Sequence, residues 1–212
     1  MPFADIHGHR LYLEDAGGSG PCVLFSHGFL LDHTIWARQV AGLAGTARCI
    51  AYDERGHGMS DCHGAYAFDD LADDAIALLD GLGIERAILA GHSQGGWLSM
   101  SAALRHPDRV AGRVLVDTAA DLDALEVTAH YRSWADAWTT TGASDELAET
   151  MLAVQFGDDA PAHALEWTSK WRARPPASTM DIWSSVLARP DYGPRLGEIR
   201  QSIRIIEQVC ER

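Results

Sequence analysis

Five residues near the middle of the chain, Gly91-His92-Ser93-Gln94-Gly95, have the types and spacing for nucleophilic attack on a carbonyl. A serine does this when it is presented on a sharp strand-to-helix turn and when donors await the oxygen that becomes charged. The glycines answer a steric need, because such a turn leaves no room for neighbouring side chains, and Gly95 and Gly96 let the next helix start close beneath it. The first peptide N–H groups of a helix lack intrahelical acceptors, so the amide of Gln94 can point at negative charge developing beside Ser93. Ser93 is the candidate nucleophile, and the Gln94 N–H is half of a candidate oxyanion site.

The turn needs a strand before it and a helix after it. Residues 87–90 (AILA) are a short apolar run, and Trp97, Leu98 and Ala102 recur at helical spacing. Upstream, Phe3–Ile6 and residues 10–14 read as two strands around His7-Gly8-His9, a hairpin signal. Cys22–Ser26 is an apolar strand ending at His27-Gly28-Phe29, and Arg48–Tyr52 is another, closing at Asp53. Between them Ile35, Trp36, Val40 and Leu43 fit a helix, and residues 69–82 fit the next. His106-Pro107-Asp108 stops the helix after Ser93, and Val110–Val116 gives one more strand, ending at Asp117. Strands alternating with helices predict an α/β fold with a mostly parallel sheet, whose sites lie in loops at the carboxyl ends of the strands. The loops beginning at His27, Asp53 and Ser93 carry the marked residues.

After residue 120 the texture becomes helical, strand-poor and rich in tryptophan, with Trp134, Trp138, Trp167, Trp171 and Trp183. The expected organisation is a core over 1–120, a helical lid insertion over 121–188 and an atypical tail over 189–212. In that tail Ile199, Ile203, Ile206 and Cys210 share one helical face, although residues 203–206 also fit a short strand.

Composition narrows the partners. With 212 residues and a net charge of -13, the chain can bury a full core and repels phosphate backbones and anionic lipid, so nucleic acid and membrane surfaces are disfavoured. A small apolar or neutral carbonyl compound is the expected substrate. Cys22, Cys49, Cys62 and Cys210 form no C-x-x-C pair, which predicts neither a zinc site nor a redox motif and fits a reducing compartment. No apolar run approaches the roughly 20 residues that span a bilayer, and the start MPFADIHGHR lacks a leader pattern; a cytoplasmic protein is expected.

Three segments in order, His27-Gly28-Phe29, Asp53-Glu54-Arg55-Gly56-His57-Gly58-Met59-Ser60 and Gly91-His92-Ser93-Gln94-Gly95-Gly96, resemble the α/β-hydrolases, close to the small esterase, enol-lactonase and non-haem haloperoxidase branch. The resemblance implies Ser93 as nucleophile, the backbone amides of Phe29 and Gln94 as oxyanion hole, acyl-transfer chemistry, and no metal or organic cofactor. Related epoxide hydrolases and haloalkane dehalogenases carry an aspartate where this chain has Ser93. The resemblance also implies later strands whose loops supply an acid and the histidine base. Residues 198–200 look like the approach to the first of these strands, but 201–212 do not read as that strand, so neither acid nor base has a matching position and the sheet reads as C-terminally truncated.

Of the other candidates, His27, His57 and His92 read as bonding nearby loop backbone, and His92 is a poor base because successive side chains on the turn diverge. His130 and His163 fall in the lid, and Asp117, at a position from which some members draw their acid, reads first as a strand-end cap. Two functional readings remain: a serine hydrolase of ester or lactone type, and a catalytically incomplete homologue that keeps the pocket. Truncation would leave the Val110–Val116 strand at an open edge, favouring pairing with a second copy.

Overall fold

The computed structural model describes residues 2–206. They fall into two compact units, residues 2–122 with 189–206, and residues 123–188.

The first unit is built on a seven-stranded sheet. Strand β1 (Phe3–Ile6) turns through His7 and Gly8, both at positive φ, into β2 (His9–Asp15), giving the two-residue hairpin that the glycine predicts. Then come β3 (Cys22–Ser26), helix α1 (Ala37–Leu43), β4 (Arg48–Tyr52), α2 (Asp70–Gly81), β5 (Ala87–His92), α3 (Gln94–Arg105) and β6 (Val110–Val116). With a last strand, β7 (Ser202–Ile206), the order across the sheet is β1-β2-β4-β3-β5-β6-β7, antiparallel at the β1–β2–β4 end and parallel from β4 onward. Central strands of a parallel sheet are buried on both faces, which is why CVLFS is apolar at nearly every position instead of alternating. On one face Val23, Phe25, Cys49, Ala51 and Ala90 pack with Trp36. Leu24, Ile50 and Leu89 are buried as well, as are Leu71, Leu78 and Leu79 of α2 and Leu98 of α3.

The C-terminal segment departs from the sequence reading. Ser202–Ile206 forms β7, paired in parallel with β6 from Gly112 opposite Ser202 to Val116 opposite Ile206. The expectation that residues after 200 do not form the next family strand is therefore corrected for 202–206, and β6 is not the open edge. The physical reason is that the isoleucine spacing fits a helix as well as a strand, whereas the row of backbone donors and acceptors along β6 is satisfied only by a strand. The strand carries its isoleucines on an exposed element, with Ile205 60% and Ile206 54% accessible. Residues 207–212, including the helical position given to Cys210, lie outside the described residues.

The return of the chain to this unit is fixed by specific bonds. Tyr192 donates its N–H to Ala120 O (3.1 Å) and its hydroxyl to Asp69 (2.8 Å), and the Arg189 guanidinium lies 3.9 Å from the Trp97 ring centroid.

The second unit is a set of four helices, α4 (Leu125–Thr141), α5 (Asp145–Phe156), α6 (Ala160–Arg172) and α7 (Met180–Leu187). Gly142, at φ 78°, ends α4, and Ser144 caps α5 by accepting from Leu147 N–H. Its core is aromatic. Trp138 meets Trp171 edge-on at 5.8 Å and Trp183 at 6.3 Å, and all three are buried, as is Trp167. These tryptophans pack the helices together, which accounts for their density in the sequence.

Candidate active site

Ser93 sits between the end of β5 and the first residue of α3 with φ 49° and ψ −109°, a conformation that costs energy for any residue bearing a Cβ. The surroundings hold it there. Its N–H donates to Val116 O (2.9 Å), and its carbonyl accepts from Gly96 N–H (2.8 Å) and from the Thr118 hydroxyl (2.9 Å). The two flanking glycines are needed for close approach: a Cβ on Gly91 would overlap the Gly95 carbonyl, and one on Gly95 would overlap the Ser26 carbonyl of β3. Gly95 in turn donates its N–H to His27 O at 3.1 Å, tying the turn to the end of β3.

The effect is a partly exposed serine at the carboxyl edge of the sheet, with the helix N-terminus directly behind it. Gln94 N–H, the first of α3, has no acceptor among the described residues, so it is available to a negative oxygen. Phe29 lies in the loop after β3, the element that Gly95 grips through His27 O. The three residues picked out by the sequence, Ser93, Gln94 and Phe29, are thus carried by two adjacent parallel strands, β3 and β5.

The histidines have the places that loop architecture requires. His27 is fully buried; its Nδ1–H donates to Gly28 O (2.8 Å) and its Nε2 accepts from Glu54 N–H (3.1 Å). His57 Nδ1 meets Arg55 O at 3.2 Å. The reading of these two as partners of loop backbone agrees with that geometry. His92 differs: its ring lies against Gly28, its Nδ1 is buried without a hydrogen bond, and burial lowers its pKa, with His27 acting in the same direction and Asp117 opposing. Within the helical unit His130 stacks on Trp134 and His163 on Phe156. Asp117 has φ 48° and donates its N–H to Ile206 O (2.9 Å), closing the β6–β7 ladder. Among the described residues, Ser93 Oγ makes no hydrogen bond to a histidine.

Two features of the site were not legible from spacing. Asp53, fully buried, is the hub of the loop after β4: Oδ1 accepts from His33 N–H (2.8 Å) and His33 Nδ1 (2.7 Å), and Oδ2 from Met59 N–H (2.8 Å). With Asp32 these groups form the one cluster among the described residues whose donors lie close enough to share a cation. The protein's own donors already use Oδ1 and Oδ2 of Asp53 and Oδ1 of Asp32, which accepts from Thr34 N–H at 3.0 Å and from the Thr34 hydroxyl, and the cluster acts as a lock between loops. Burial draws the His33 pKa down, but the hydrogen bond to Asp53 and the charges of Asp53, Asp32 and Glu14 outweigh it and leave His33 raised. The second feature is a buried contact between Glu54 and Gln94. The only sequence signal for it is a charged residue just after a core strand, which does not name its partner.

A sequence profile of the alpha/beta hydrolase fold matches residues 21–195. The chain is 39% identical over 115 residues to 2-(acetamidomethylene)succinate hydrolase of Mesorhizobium japonicum, covering 51% of this chain and 41% of that protein. It is 38% identical over 99 residues to epoxide hydrolase B of Mycobacterium tuberculosis, covering 45% and 28%. The matches thus span less than half the length of these curated relatives. Among solved structures, the enol-lactonase of Burkholderia xenovorans superposes with a TM-score of 0.85 at 27% identity, over 97% of this chain and 80% of that one. With the profile extending over most of the chain and the strained serine at its strand-to-helix turn, the chain belongs to the alpha/beta hydrolase fold family.

Proposed function

We propose that the chain is a serine hydrolase acting on a small, largely apolar ester or lactone through an acyl-enzyme, without metal or organic cofactor. The observation that carries this reading is Ser93 itself, held at φ 49° on the turn with the Gln94 N–H, unpaired among the described residues, behind it. Ser93 Oγ attacks the carbonyl carbon and gives up its proton. The carbonyl oxygen takes the charge, and the amides of Gln94 and Phe29 receive it. The C–O bond to the alcohol then breaks, the alcohol leaves with a proton, and water hydrolyses the Ser93 ester to release the acid. A serine at this place argues against the aspartyl-ester chemistry of related epoxide hydrolases, whatever the similarity to one of them.

One observation favours a second reading, a homologue that keeps the pocket but does not turn over: Ser93 Oγ lacks a histidine partner among the described residues. Hydrolysis of a short-chain aryl ester separates the two. The proposal expects turnover by the wild type and none by Ser93→Ala; equal rates for the two, or no turnover by a folded wild type, defeat it.

A further inference from the structure

Behind the turn lies a buried polar chain that crosses from one loop to the other. Gln94 and Glu54 are both fully inaccessible, and the Gln94 side-chain amide donates to Glu54 Oε2 in a very short contact. The peptide N–H of the same Glu54 donates to His27 Nε2 (3.1 Å), and His27 Nδ1–H donates to the Gly28 carbonyl (2.8 Å), the peptide unit that carries the Phe29 N–H. The His27 carbonyl accepts from Gly95 N–H (3.1 Å), closing a circuit back to the turn. Ser26 and Tyr52, also buried, bond each other at 3.3 Å on the adjoining strands.

This circuit is expensive to bury, which is the reason to ask what it does. Glu54 Oε1 and Gln94 Oε1 are both buried without a hydrogen-bond partner, and no arginine or lysine among the described residues pairs with Glu54. An apolar pair would fill the same space at less cost. The titratable groups whose charge is felt at Glu54 are His27, Asp74 and Asp53, and Glu54 in turn acts on Tyr52. Burial is the largest influence on its carboxyl and pushes the pKa up, with Asp74 and Asp53 in the same direction and His27 and the Gln94 bond opposing.

We propose that Glu54 is a positioning residue for the oxyanion site. Its carboxyl clamps the side chain of Gln94 and its peptide N–H orients the ring of His27, so that one residue fixes both loops whose amides receive the charge. The inference rests on the serine-hydrolase reading for its catalytic consequence, while the clamp itself is a property of the fold. The backbone N–H of Gln94 is the functional atom; the side chain of the same residue serves as the handle by which it is held. A one-ångström loss of alignment in such a site costs about 100-fold in rate.

The test compares Glu54→Leu, Glu54→Gln and the double variant Glu54→Leu with Gln94→Leu, each checked for folding by circular dichroism, in the rate of labelling by a fluorophosphonate as a function of probe concentration. The clamp predicts that Glu54→Leu slows the saturating rate by about 10- to 100-fold with unchanged half-saturation, since alignment and not binding is lost. Glu54→Gln, which keeps an acceptor and adds a donor, restores most of the rate, and the double variant is no slower than Glu54→Leu alone. Wild-type rates in Glu54→Leu, a change in half-saturation only, or failure of Glu54→Gln to recover overturn the proposal. If the folded wild type is not labelled, the serine-hydrolase reading fails and the clamp is decided by NMR. The Gln94 peptide N–H resonance then shifts in Glu54→Leu and not in Glu54→Gln, and an unmoved resonance overturns the clamp.

Discussion

Replacing Asp53 should unlock the loops around the site, and the structure sets the size of the loss. Asp53 is fully buried, and its carboxylate accepts from His33 N–H, His33 Nδ1 and Met59 N–H, all at 2.7 to 2.8 Å. Asp53→Ala strands these donors, and each buried donor left unpaired costs about 1–3 kcal/mol. Allowing the His33 ring, whose Nε2 lies 3.5 Å from Glu14, to recover its bonding, the two backbone donors alone sum to about 2–6 kcal/mol, a large share of a typical stability of about 5–15 kcal/mol. Asp53→Asn keeps Oδ1 but sets an NH2 against Met59 N–H, so it should cost one donor, about 1–3 kcal/mol. The assay is urea unfolding, with equal slopes confirming that only stability changed. The His33 pKa is raised in the fold above 6.5, so its contribution is complete below the unfolded value and is lost as pH rises through the folded one. The gap between wild type and Asp53→Ala should therefore be wider at about pH 6 than at about pH 9. An Ala variant within 1 kcal/mol of wild type, roughly the net value of one ordinary hydrogen bond, or a gap that widens with pH, refutes the reasoning.

Other expectations follow from the same kind of argument. Trp138, buried against Trp171 and Trp183, should cost about 3–5 kcal/mol as Trp138→Ala, read as a fall in the melting of the helical unit; a change under 1 kcal/mol contradicts the packing. Arg113 on β6 is 5% exposed, with Nε and Nη1 unpartnered and its pKa lowered by burial, so Arg113→Met should stabilise by about 1–3 kcal/mol, and destabilisation in a urea melt counts against it. Arg55 and Asp74 form a buried pair through two 2.6 Å bonds, and Arg55→Met, which among the described residues leaves the buried carboxylate only its 2.9 Å contact with His7 Nδ1, should cost about 3–5 kcal/mol in the same assay; a neutral change means that the pair is dispensable.

The parts of the fold that were legible in the sequence are those whose cause is local. Gly91 reports a steric demand made within five residues, since a Cβ there would overlap the Gly95 carbonyl, and Cys22–Ser26 and Arg48–Tyr52 announce themselves as buried strands by near-continuous apolarity. Ser202–Ile206 was ambiguous because its isoleucines satisfy two periods, and the partner that decides between them, β6, lies about 90 residues earlier. The Glu54–Gln94 contact spans 40 residues and joins two loops that each looked complete. Sequence spacing names the residues that a turn requires; it does not name the residues that hold one turn against another. His92 shows the converse, since its place beside Ser93 in sequence puts its ring against Gly28 and not on the hydroxyl.

The central claim is that Ser93 is an activated nucleophile, and the most direct measurement is intact-mass analysis of the folded protein after exposure to a fluorophosphonate, beside Ser93→Ala. Such a probe requires a reactive serine and no knowledge of the substrate. The account predicts one added probe mass on the wild type, mapped to the peptide containing Ser93, and none on Ser93→Ala. Equal labelling of both proteins, or none on a folded wild type, would contradict it.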